Sequence, residues 1–295
     1  MTTTLSGIVA YPITPYTADG EKIDTAALHR LLDRMIDAGV DAVAPLGSTG
    51  ESAYLTDDEW TCVASETVAH AAGRVPTVVG VSELTTAGTI KRARIAERNG
   101  ASAIMVLPIS YWKLGPEELR QHFTAVAESV SLPVMVYNNP ATTGIDMPPE
   151  FLVDLVDTVE NITMIKESSG DIERMNRIVE LGGGSVPFFN GSNPLALRAF
   201  EAGAAGWCTA APCLVPEQVV EFWRLLRAGE TAAANELFER LQPLLTLLVS
   251  RGLPATVKAG LRSLGVEAGD PRRPMLPLEA SITTELTDLI SAVRN

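Results

Sequence analysis

One lysine ends an apolar segment, which is an unusual place for a charged side chain. The chain contains five lysines, and four of them, Lys22, Lys91, Lys113 and Lys258, fall in predicted loops or helices where we expect solvated charges. Lys166 instead ends the apolar run 162–166, which predicts a buried β-strand. A lysine amine in water is almost entirely protonated at neutral pH, but burial favours the neutral form, which can attack a carbonyl carbon. Position alone leaves a second interpretation equally open, namely a buried ion pair with Glu51 or Glu167.

A tyrosine ends the preceding apolar run in the same way. Tyr137 is the last residue of the run 133–137, directly before the strand that carries Lys166. Neighbouring strands of a sheet lie about 4.8 Å apart, so the phenol and the amine would converge on one small volume. A phenol there can move protons while a carbinolamine forms and breaks down. The alternative interpretation is a core tyrosine whose hydroxyl is satisfied by hydrogen bonds.

A short glycine-containing loop follows the second apolar run. Residues 47–51 have the sequence Gly-Ser-Thr-Gly-Glu. Glycines allow a tight turn, so that successive N–H groups and the hydroxyls of Ser48 and Thr49 can face one anion. A substrate carboxylate would fit such a site.

These segments belong to a regular alternation of short apolar runs and longer amphipathic stretches. Eight runs are predicted as strands: 7–13, 41–46, 76–81, 102–107, 133–137, 162–166, 186–190 and 206–209. The predicted helices between and after them are 25–38, 57–72, 86–99, 116–130, 148–156, 172–181, 194–201 and 216–228. Such alternation predicts an α/β protein with a parallel sheet. We favour a (β/α)₈ TIM barrel over an open doubly wound sheet, because no Gly-x-Gly-x-x-Gly follows the first strand.

The chain continues as helix beyond the eighth unit. Segments 231–250, 255–264 and 282–293 are predicted helices. We interpret residues 1–228 as the barrel and residues 229–295 as a C-terminal helical extension packed on it in one structural unit. Enzymes of this fold place their reactive groups at the carboxyl ends of the strands, which is where Lys166 and Tyr137 lie.

Composition excludes several classes of function. The 295 residues are 46% hydrophobic and 20% charged, which is typical of a globular protein. A formal net charge of −13 argues against a nucleic-acid partner, and no apolar run reaches the roughly 18 residues that a membrane helix needs. The first residues lack a basic, apolar leader, so we expect a cytoplasmic protein. The three cysteines and three histidines lack metal-ligand spacing, and we expect neither a metal nor a cofactor.

Three motifs together resemble one known family. Gly-Ser-Thr-Gly-Glu at 47–51, Tyr-Asn-Asn-Pro at 137–140 and Ile-Lys-Glu-Ser-Ser-Gly-Asp at 165–171 are similar to those of the dihydrodipicolinate synthase/N-acetylneuraminate lyase family. The resemblance covers nearly the whole chain and matches the order of the motifs. It implies a lyase in which Lys166 forms a Schiff base with pyruvate or a related 2-oxo acid, and Tyr137 relays protons.

The resemblance also assigns roles to other residues. Ser48 and Thr49, with Gly47, would bind the substrate carboxylate, and Ser48 would join the hydroxyl relay. Members of the family are usually homotetramers, often with a relay tyrosine from the neighbouring subunit. Tyr111 lies in the corresponding loop, although its spacing from Pro108 is one residue longer than expected.

The second substrate is less clearly indicated. Synthases of the lysine pathway typically carry an arginine two residues after the proline of the Tyr-Asn-x-Pro motif, where this chain has Thr142. We therefore expect aldol cleavage or condensation, or dehydration or deamination, and keep dihydrodipicolinate synthase itself as the alternative. Asn190 and Trp207 are expected to shape the distal pocket, although Trp207 could equally be a packing residue. A non-catalytic barrel that only binds a metabolite is the alternative from a different class.

Overall fold

The computed structural model describes residues 5–295, and within them eight parallel strands form one sheet. Each of the eight predicted runs overlaps one strand. The strands are β1 (Gly7–Ala10), β2 (Ala42–Val43), β3 (Val78–Gly80), β4 (Ala103–Val106), β5 (Val134–Asn138), β6 (Ile162–Glu167), β7 (Phe188–Asn190) and β8 (Gly206–Thr209). Their order in the sheet is β2-β1-β8-β7-β6-β5-β4-β3. Strands consecutive in the chain are therefore neighbours, except for β2 and β3 at the two ends of this order, and β1 lies beside β8. This order, with helices between the strands, confirms the predicted (β/α)₈ barrel.

Helices follow almost every strand. Over the described range they are α1 (Thr25–Ala38), α2 (Asp57–Ala71), α3 (Thr86–Arg98), α4 (Pro116–Ala127), α5 (Pro140–Thr143), α6 (Pro149–Thr158), α7 (Ile172–Leu181), α8 (Ala196–Glu201), α9 (Pro216–Arg227), α10 (Thr231–Ser250), α11 (Leu253–Ser263) and α12 (Ala280–Arg294).

Two helical segments differ from the sequence prediction. The single turn α5 was not predicted. It begins at Pro140, whose fixed φ suits a first helical turn, and ends at Gly144 in the left-handed conformation. The predicted helix 194–201 begins instead as a 3₁₀ turn at Asn193–Leu195 and becomes α-helical only at Ala196.

The chain divides into two compact units. The first contains Pro76–Cys208 with residues 5 and 6, and therefore β3 to β7 and most of β8. Its strand residues are nearly all buried, and β4, β5, β6 and β7 pair in parallel with fixed register. Asn161 precedes β6 and fixes the turn before β5, because its side-chain amide donates to the carbonyls of Ala127, Val130 and Leu132 at 2.8, 3.0 and 3.2 Å. These contacts fix the segments from which β5 and β6 begin.

The second unit contains Gly7–Val75 and Thr209–Asn295. It includes β1, β2, α1, α2 and the helices from α9 onward. Helices α10, α11 and α12 pack on one another through buried apolar side chains such as Leu244, Leu261 and Ile290. The N-terminus of α2 is closed by a capping box, in which Thr56 and Glu59 satisfy each other's backbone N–H groups.

Residues 5–295 contain neither a membrane-spanning helix nor a metal-binding cluster. None of the helices there is both long and apolar enough to cross a membrane. In the same residues no group of three or more His, Cys, Asp or Glu side chains could hold a metal ion.

Candidate active site

The register of β5 and β6 places Tyr137 opposite Lys166. The two strands pair in parallel, with Tyr137 aligned to Lys166 and Asn138 aligned to Glu167. Lys166 is also aligned with Phe189 of β7 on its other side. The phenol and the amine are therefore neighbours in the structure, as predicted, because the two strands that carry them pair in this register.

The Lys166 amine lies in a mostly apolar environment. The residue is 5% exposed. Its Nζ lies 3.9 Å from the centroid of the Tyr137 ring and 3.9 Å from the Met105 Sδ. Packing between an aromatic face and a thioether leaves this amine with little access to water.

The Tyr137 hydroxyl has a defined orientation. The Nδ2 of Asn139 donates a hydrogen bond of 2.7 Å to the phenol oxygen. Because this contact uses the oxygen as an acceptor, the O–H proton can be directed at another group, as a proton-relay residue requires.

The two carboxylates considered as partners for Lys166 are held by other groups. The Glu51 Oε1 lies 2.6 Å from the Nζ of Lys258. The Glu167 carboxylate accepts from the Asn138 Nδ2 at 3.0 Å and lies 3.6 Å from the Nε of Arg174.

The ion pair of Glu51 overturns one expectation from the sequence. Lys258 was expected to be solvated, but it is 2% exposed. It lies on the inner face of α11 between the buried residues Val257 and Ala259, where the carboxylate compensates its charge. The prediction was wrong because a helix pattern cannot show a partner that lies far away in the chain.

A polar network on the opposite face of β5 and β6 was not anticipated. Asn138 and Glu167 are fully buried, and each directly follows a predicted catalytic residue. The Asn138 Oδ1 accepts from the N–H of Met147 at 3.0 Å, and the Glu167 Oε1 accepts from the N–H of Ser169 at 2.6 Å. Arg174 closes the network through Asp146 at 2.9 Å. These contacts tie the two strand ends to the loops that follow them.

A glycine provides space for the reactive lysine. A Cβ at Gly191 would lie 2.8 Å from the Lys166 Cε and 1.7 Å from the Ser168 Oγ. The Ser168 hydroxyl is buried, and no hydrogen-bond partner for it exists among residues 5–295. Gly191 is therefore needed for the packing of Lys166, and no pattern in the sequence indicates this role.

The loop 47–51 lies in the second compact unit. Its turn is closed by hydrogen bonds from the N–H of Gly50 to the Gly47 carbonyl at 3.0 Å and from the N–H of Glu51 to the Ser48 carbonyl at 3.2 Å. The N–H groups and hydroxyls of Ser48 and Thr49 make no hydrogen bond to any residue that the structure describes. They have the donors that an anion site requires.

The remaining predicted residues differ widely in exposure. Tyr111 is 90% exposed and packs edge-on against Trp112. Thr142 is exposed on α5. Both of them lie outside the buried surroundings of Lys166.

Asn190 and Trp207 are fully buried and hold neighbouring backbone or side chains. The Asn190 side chain exchanges two hydrogen bonds of 2.9 Å with the backbone of Ser192. The Trp207 Nε1 donates to the Asn193 Oδ1 at 3.2 Å. These contacts fit a supporting role for both residues, and a direct role in binding stays a prediction.

An open cavity of about 470 Å³ lies beside Tyr111 in the first unit. It is lined by Trp112, Lys113, Ile145 and Phe151 among others, whereas Lys166 and Tyr137 are not part of its wall. This cavity is therefore separate from the surroundings of the lysine.

Comparisons with known proteins identify the family of this chain. A model of the dihydrodipicolinate synthetase family matches residues 4–293. A 4-hydroxy-tetrahydrodipicolinate synthase of Sorangium cellulosum is 33% identical over 92% of this chain and 91% of its own length. The enzyme of the same name from Bacillus subtilis is 32% identical, and the match covers 95% of this chain and 96% of its own.

Solved structures of proteins with similar names are also similar to this chain. A Pseudomonas aeruginosa protein described as a candidate dihydrodipicolinate synthetase has 52% identity and a TM-score of 0.96, with 99% of this chain and 100% of that chain covered. The 4-hydroxy-tetrahydrodipicolinate synthase of Methylacidiphilum fumariolicum has 30% identity and a TM-score of 0.94, with 99% and 96% covered.

Fold, lysine and comparisons together define a class, the (β/α)₈-barrel lyases of the class I aldolase type. Within this class the chain belongs to the dihydrodipicolinate synthetase family. The family resemblance expected from the three motifs is confirmed.

Proposed function

We propose that this enzyme binds pyruvate or a related 2-oxo acid as a Schiff base on Lys166. The observation that carries the proposal is the buried Lys166 amine, which packs 3.9 Å from the centroid of the Tyr137 ring in a member of this family. An amine and a phenol at adjacent strand ends are the groups that imine formation requires.

The reaction begins when the neutral Lys166 amine attacks the keto carbon of the substrate. The carbonyl oxygen takes up a proton to give a carbinolamine, and the nitrogen loses one. Protonation of the new hydroxyl then allows water to leave, and a cationic iminium remains. Tyr137 donates and accepts these protons. Asn139 donates a hydrogen bond to the Tyr137 oxygen, so the hydroxyl proton of Tyr137 is left for transfer.

The iminium is an electron sink for the next step. It accepts the electron pair released when a C–C bond breaks or a proton leaves the adjacent carbon, and the resulting enamine can attack an aldehyde or expel a leaving group. Hydrolysis of the final imine frees Lys166. The scheme needs no external cofactor.

The substrate carboxylate is assigned to the loop 47–51. Support comes from the family motif and from the N–H groups and hydroxyls of Ser48 and Thr49, which have no partner among the described residues. Gly47 allows the turn that exposes them, and Ser48 also takes part in the hydroxyl relay. An anion that meets several aligned donors is bound without a full counter-charge.

The second half-reaction has two candidate forms. Thr142 in place of an arginine supports aldol chemistry on a hydroxylated 2-oxo acid, or dehydration or deamination of a related substrate. The names of the relatives favour the alternative, in which a 4-hydroxy-tetrahydrodipicolinate synthase condenses pyruvate with aspartate semialdehyde. Activity with pyruvate plus aspartate semialdehyde, compared with release of ammonia from a hydroxylated pyrroline carboxylate, distinguishes them.

Borohydride trapping tests the Schiff base directly. We expect borohydride and pyruvate together to add the mass of one reduced pyruvate to the protein, and borohydride alone to add nothing. Lys166→Ala should abolish the gain, and Lys22→Ala, which removes an exposed lysine, should preserve it. Tyr137→Phe should slow trapping by roughly 10²-fold or more, as for loss of a general acid or base.

Two outcomes would contradict the proposal. One is wild-type protein that binds pyruvate but stays unmodified, which would favour a binding protein without catalysis. The other is a mass gain that persists in Lys166→Ala, which would place the imine on another amine.

We also propose that the enzyme is a homotetramer and that Tyr111 enters the relay of a neighbouring subunit. Support comes from the family and from the 90% exposure of Tyr111, since a large aromatic ring exposed on one copy is suited to contact with another. The cytoplasmic location stays a prediction.

A further inference from the structure

The residue before the loop 47–51 and the last residue of the loop both have an unfavourable backbone conformation. Leu46 has φ 63° and Glu51 has φ 57°, both in the left-handed region that residues with a side chain rarely adopt. Such conformations persist only where surrounding contacts impose them. Thr14 supplies one such contact by donating to the Gly50 carbonyl at 2.7 Å.

Both carboxylate oxygens of Glu51 are bound by the C-terminal part of the second unit. The Oε1 lies 2.6 Å from the Nζ of Lys258, and the Oε2 accepts from the backbone N–H of Arg272 at 2.6 Å. The side chains of Glu51 and Lys258 are 0% and 1% exposed. We call Glu51, Lys258 and Arg272 the Glu51 clamp.

Further contacts fix the clamp from outside. The Lys258 Nζ donates to the Asp270 carbonyl at 3.1 Å. The Tyr16 ring lies under both cations, with its centroid 3.9 Å from the Lys258 Nζ and 4.5 Å from the Arg272 Cζ. The Arg272 side chain pairs with Glu59, the residue that completes the capping box of α2. The clamp therefore joins the loop, α2 and α11.

The charges within the clamp depend on one another. Burial lowers the pKa of Lys258 to about 8, while the Glu51 carboxylate acts in the opposite direction and favours the ammonium form. Near neutral pH the ion pair is therefore mostly formed. Loss of either partner would leave the other charge buried without compensation, which proteins tolerate poorly.

We propose that Lys258 and Arg272 are positioning residues for the substrate carboxylate. By holding Glu51 at both oxygens, they keep the N–H groups and hydroxyls of Ser48 and Thr49 in the arrangement that binds an anion. This inference rests on the proposed function of the loop, and it assigns to the C-terminal extension a part in substrate binding.

The Lys258→Met variant tests the proposal through the concentration of pyruvate needed for half-maximal borohydride trapping. We expect that concentration to rise about tenfold, which corresponds to about 1.4 kcal/mol of lost binding, while trapping at saturating pyruvate stays near the wild-type level. Trapping of methyl pyruvate, whose carboxylate is an ester, should change little. A variant that was merely less stable would trap both compounds less well, so weaker binding of pyruvate alone indicates an effect on the carboxylate site.

Arg262→Met is the matched control. Arg262 lies on the same helix and pairs with Asp270 at 2.8 Å, but it does not contact Glu51. It should leave the half-saturating concentration of pyruvate unchanged.

If Lys258→Met does not fold, Glu51→Gln tests the same ion pair from its other side. It keeps the size of the side chain and an acceptor for the Arg272 N–H, and removes only the charge opposite Lys258. We expect the same selective weakening of pyruvate. Thermal melting curves of each variant establish that it is folded.

The outcomes separate this inference from the function on which it rests. Wild-type protein that is not trapped by pyruvate would contradict the proposed function. Wild-type protein that is trapped, with folded variants of unchanged half-saturation, would overturn the role of the clamp alone. An equal weakening of pyruvate and methyl pyruvate would also overturn it, because a carboxylate-positioning device must discriminate between them.

Discussion

At the residue scale, the ends of β5 and β6 carry two pairs of polar residues on opposite faces. Tyr137 and Lys166 form the pair proposed to react. Asn138 and Glu167, one position further on, form the buried pair that holds the loops. Successive side chains of a strand point to opposite faces, so two adjacent positions serve two tasks. A substitution at Asn138 or Glu167 should therefore shift the neighbouring residue of the first pair through the connecting backbone.

Gly191→Ala is expected to impair Schiff-base formation. The new Cβ would lie 2.8 Å from the Lys166 Cε, so the lysine would have to move. Displacement of a reacting group by about 1 Å can cost roughly 10²-fold in rate, and overpacking costs about 1–3 kcal/mol of stability. We expect at least tenfold slower borohydride trapping of pyruvate, measured by intact mass against time.

Two variants complete this experiment. Gly115→Ala is the control, because Gly115 has φ −82° and a Cβ there would meet only the Glu118 Oε2 at 3.5 Å. The double variant Gly191→Ala with Ser168→Ala removes the contact with the Ser168 hydroxyl but not the one with Lys166. Full recovery in the double variant would show that the lysine is not the group displaced.

The residues proposed to react stand out in the sequence, whereas the residues that support them do not. Lys166 and Tyr137 are conspicuous because charged or polar groups end apolar runs. The sequence indicates no role for Asn138 and offers Glu167 only as an ion-pair partner of Lys166. The two predicted strands end one residue before these side chains, although both strands extend by that one residue. Lys258 was misjudged because its partner lies on a distant segment.

At the scale of elements, the alternation of apolar runs and amphipathic stretches predicts the architecture better than it predicts the length of each strand. All eight strands seen in residues 5–295 overlap predicted runs, yet β2 has only two residues, Ala42–Val43. Strand length depends on the pairing partner, which a single segment does not reveal. The helix α5 escaped prediction because four residues are too few for an amphipathic pattern.

Helices α3 and α4 meet at a histidine whose burial should make stability depend on pH. The Nδ1 of His122 on α4 lies 3.0 Å from the Thr86 Oγ1 on α3, and burial lowers the pKa of His122 below its ordinary 6.5. As the pH falls through 6.5, the unfolded chain therefore binds a proton before the folded one. We therefore expect the free energy of unfolding to decrease as the pH falls through this range.

Urea unfolding at pH 7.5 and pH 5.5 measures the effect. His122→Gln should remove this contribution, so that the variant loses less stability than the wild type over that interval. An identical pH dependence in both proteins would mean that His122 is protonated equally in the folded and unfolded states.

At the scale of the whole molecule, exposed aromatic residues and a high negative charge have opposite consequences for association. The net charge of −13 opposes non-specific contacts. Tyr111 and Trp112 are 90% and 78% exposed beside an open cavity, which marks one surface for a specific contact.

Light scattering should therefore give about four times the subunit mass of 31.4 kDa. Replacement of Tyr111 and Trp112 by Ala should reduce the mass, whereas Tyr54→Ala, which removes a less exposed ring, should not. A monomeric wild-type protein would contradict the proposed homotetramer.

The Glu51 clamp also has a consequence for biosynthesis. Glu51 and Arg272 are separated by 221 residues, so the loop is translated long before the groups that hold it. At roughly 5–20 residues per second, the ribosome needs roughly 11–44 s to reach Arg272 after Glu51. During that interval the anchoring residues do not yet exist, so nothing from the C-terminal part of the chain imposes the conformation of Glu51. The loop 47–51 would then be able to bind a carboxylate only after Arg272 has been synthesised.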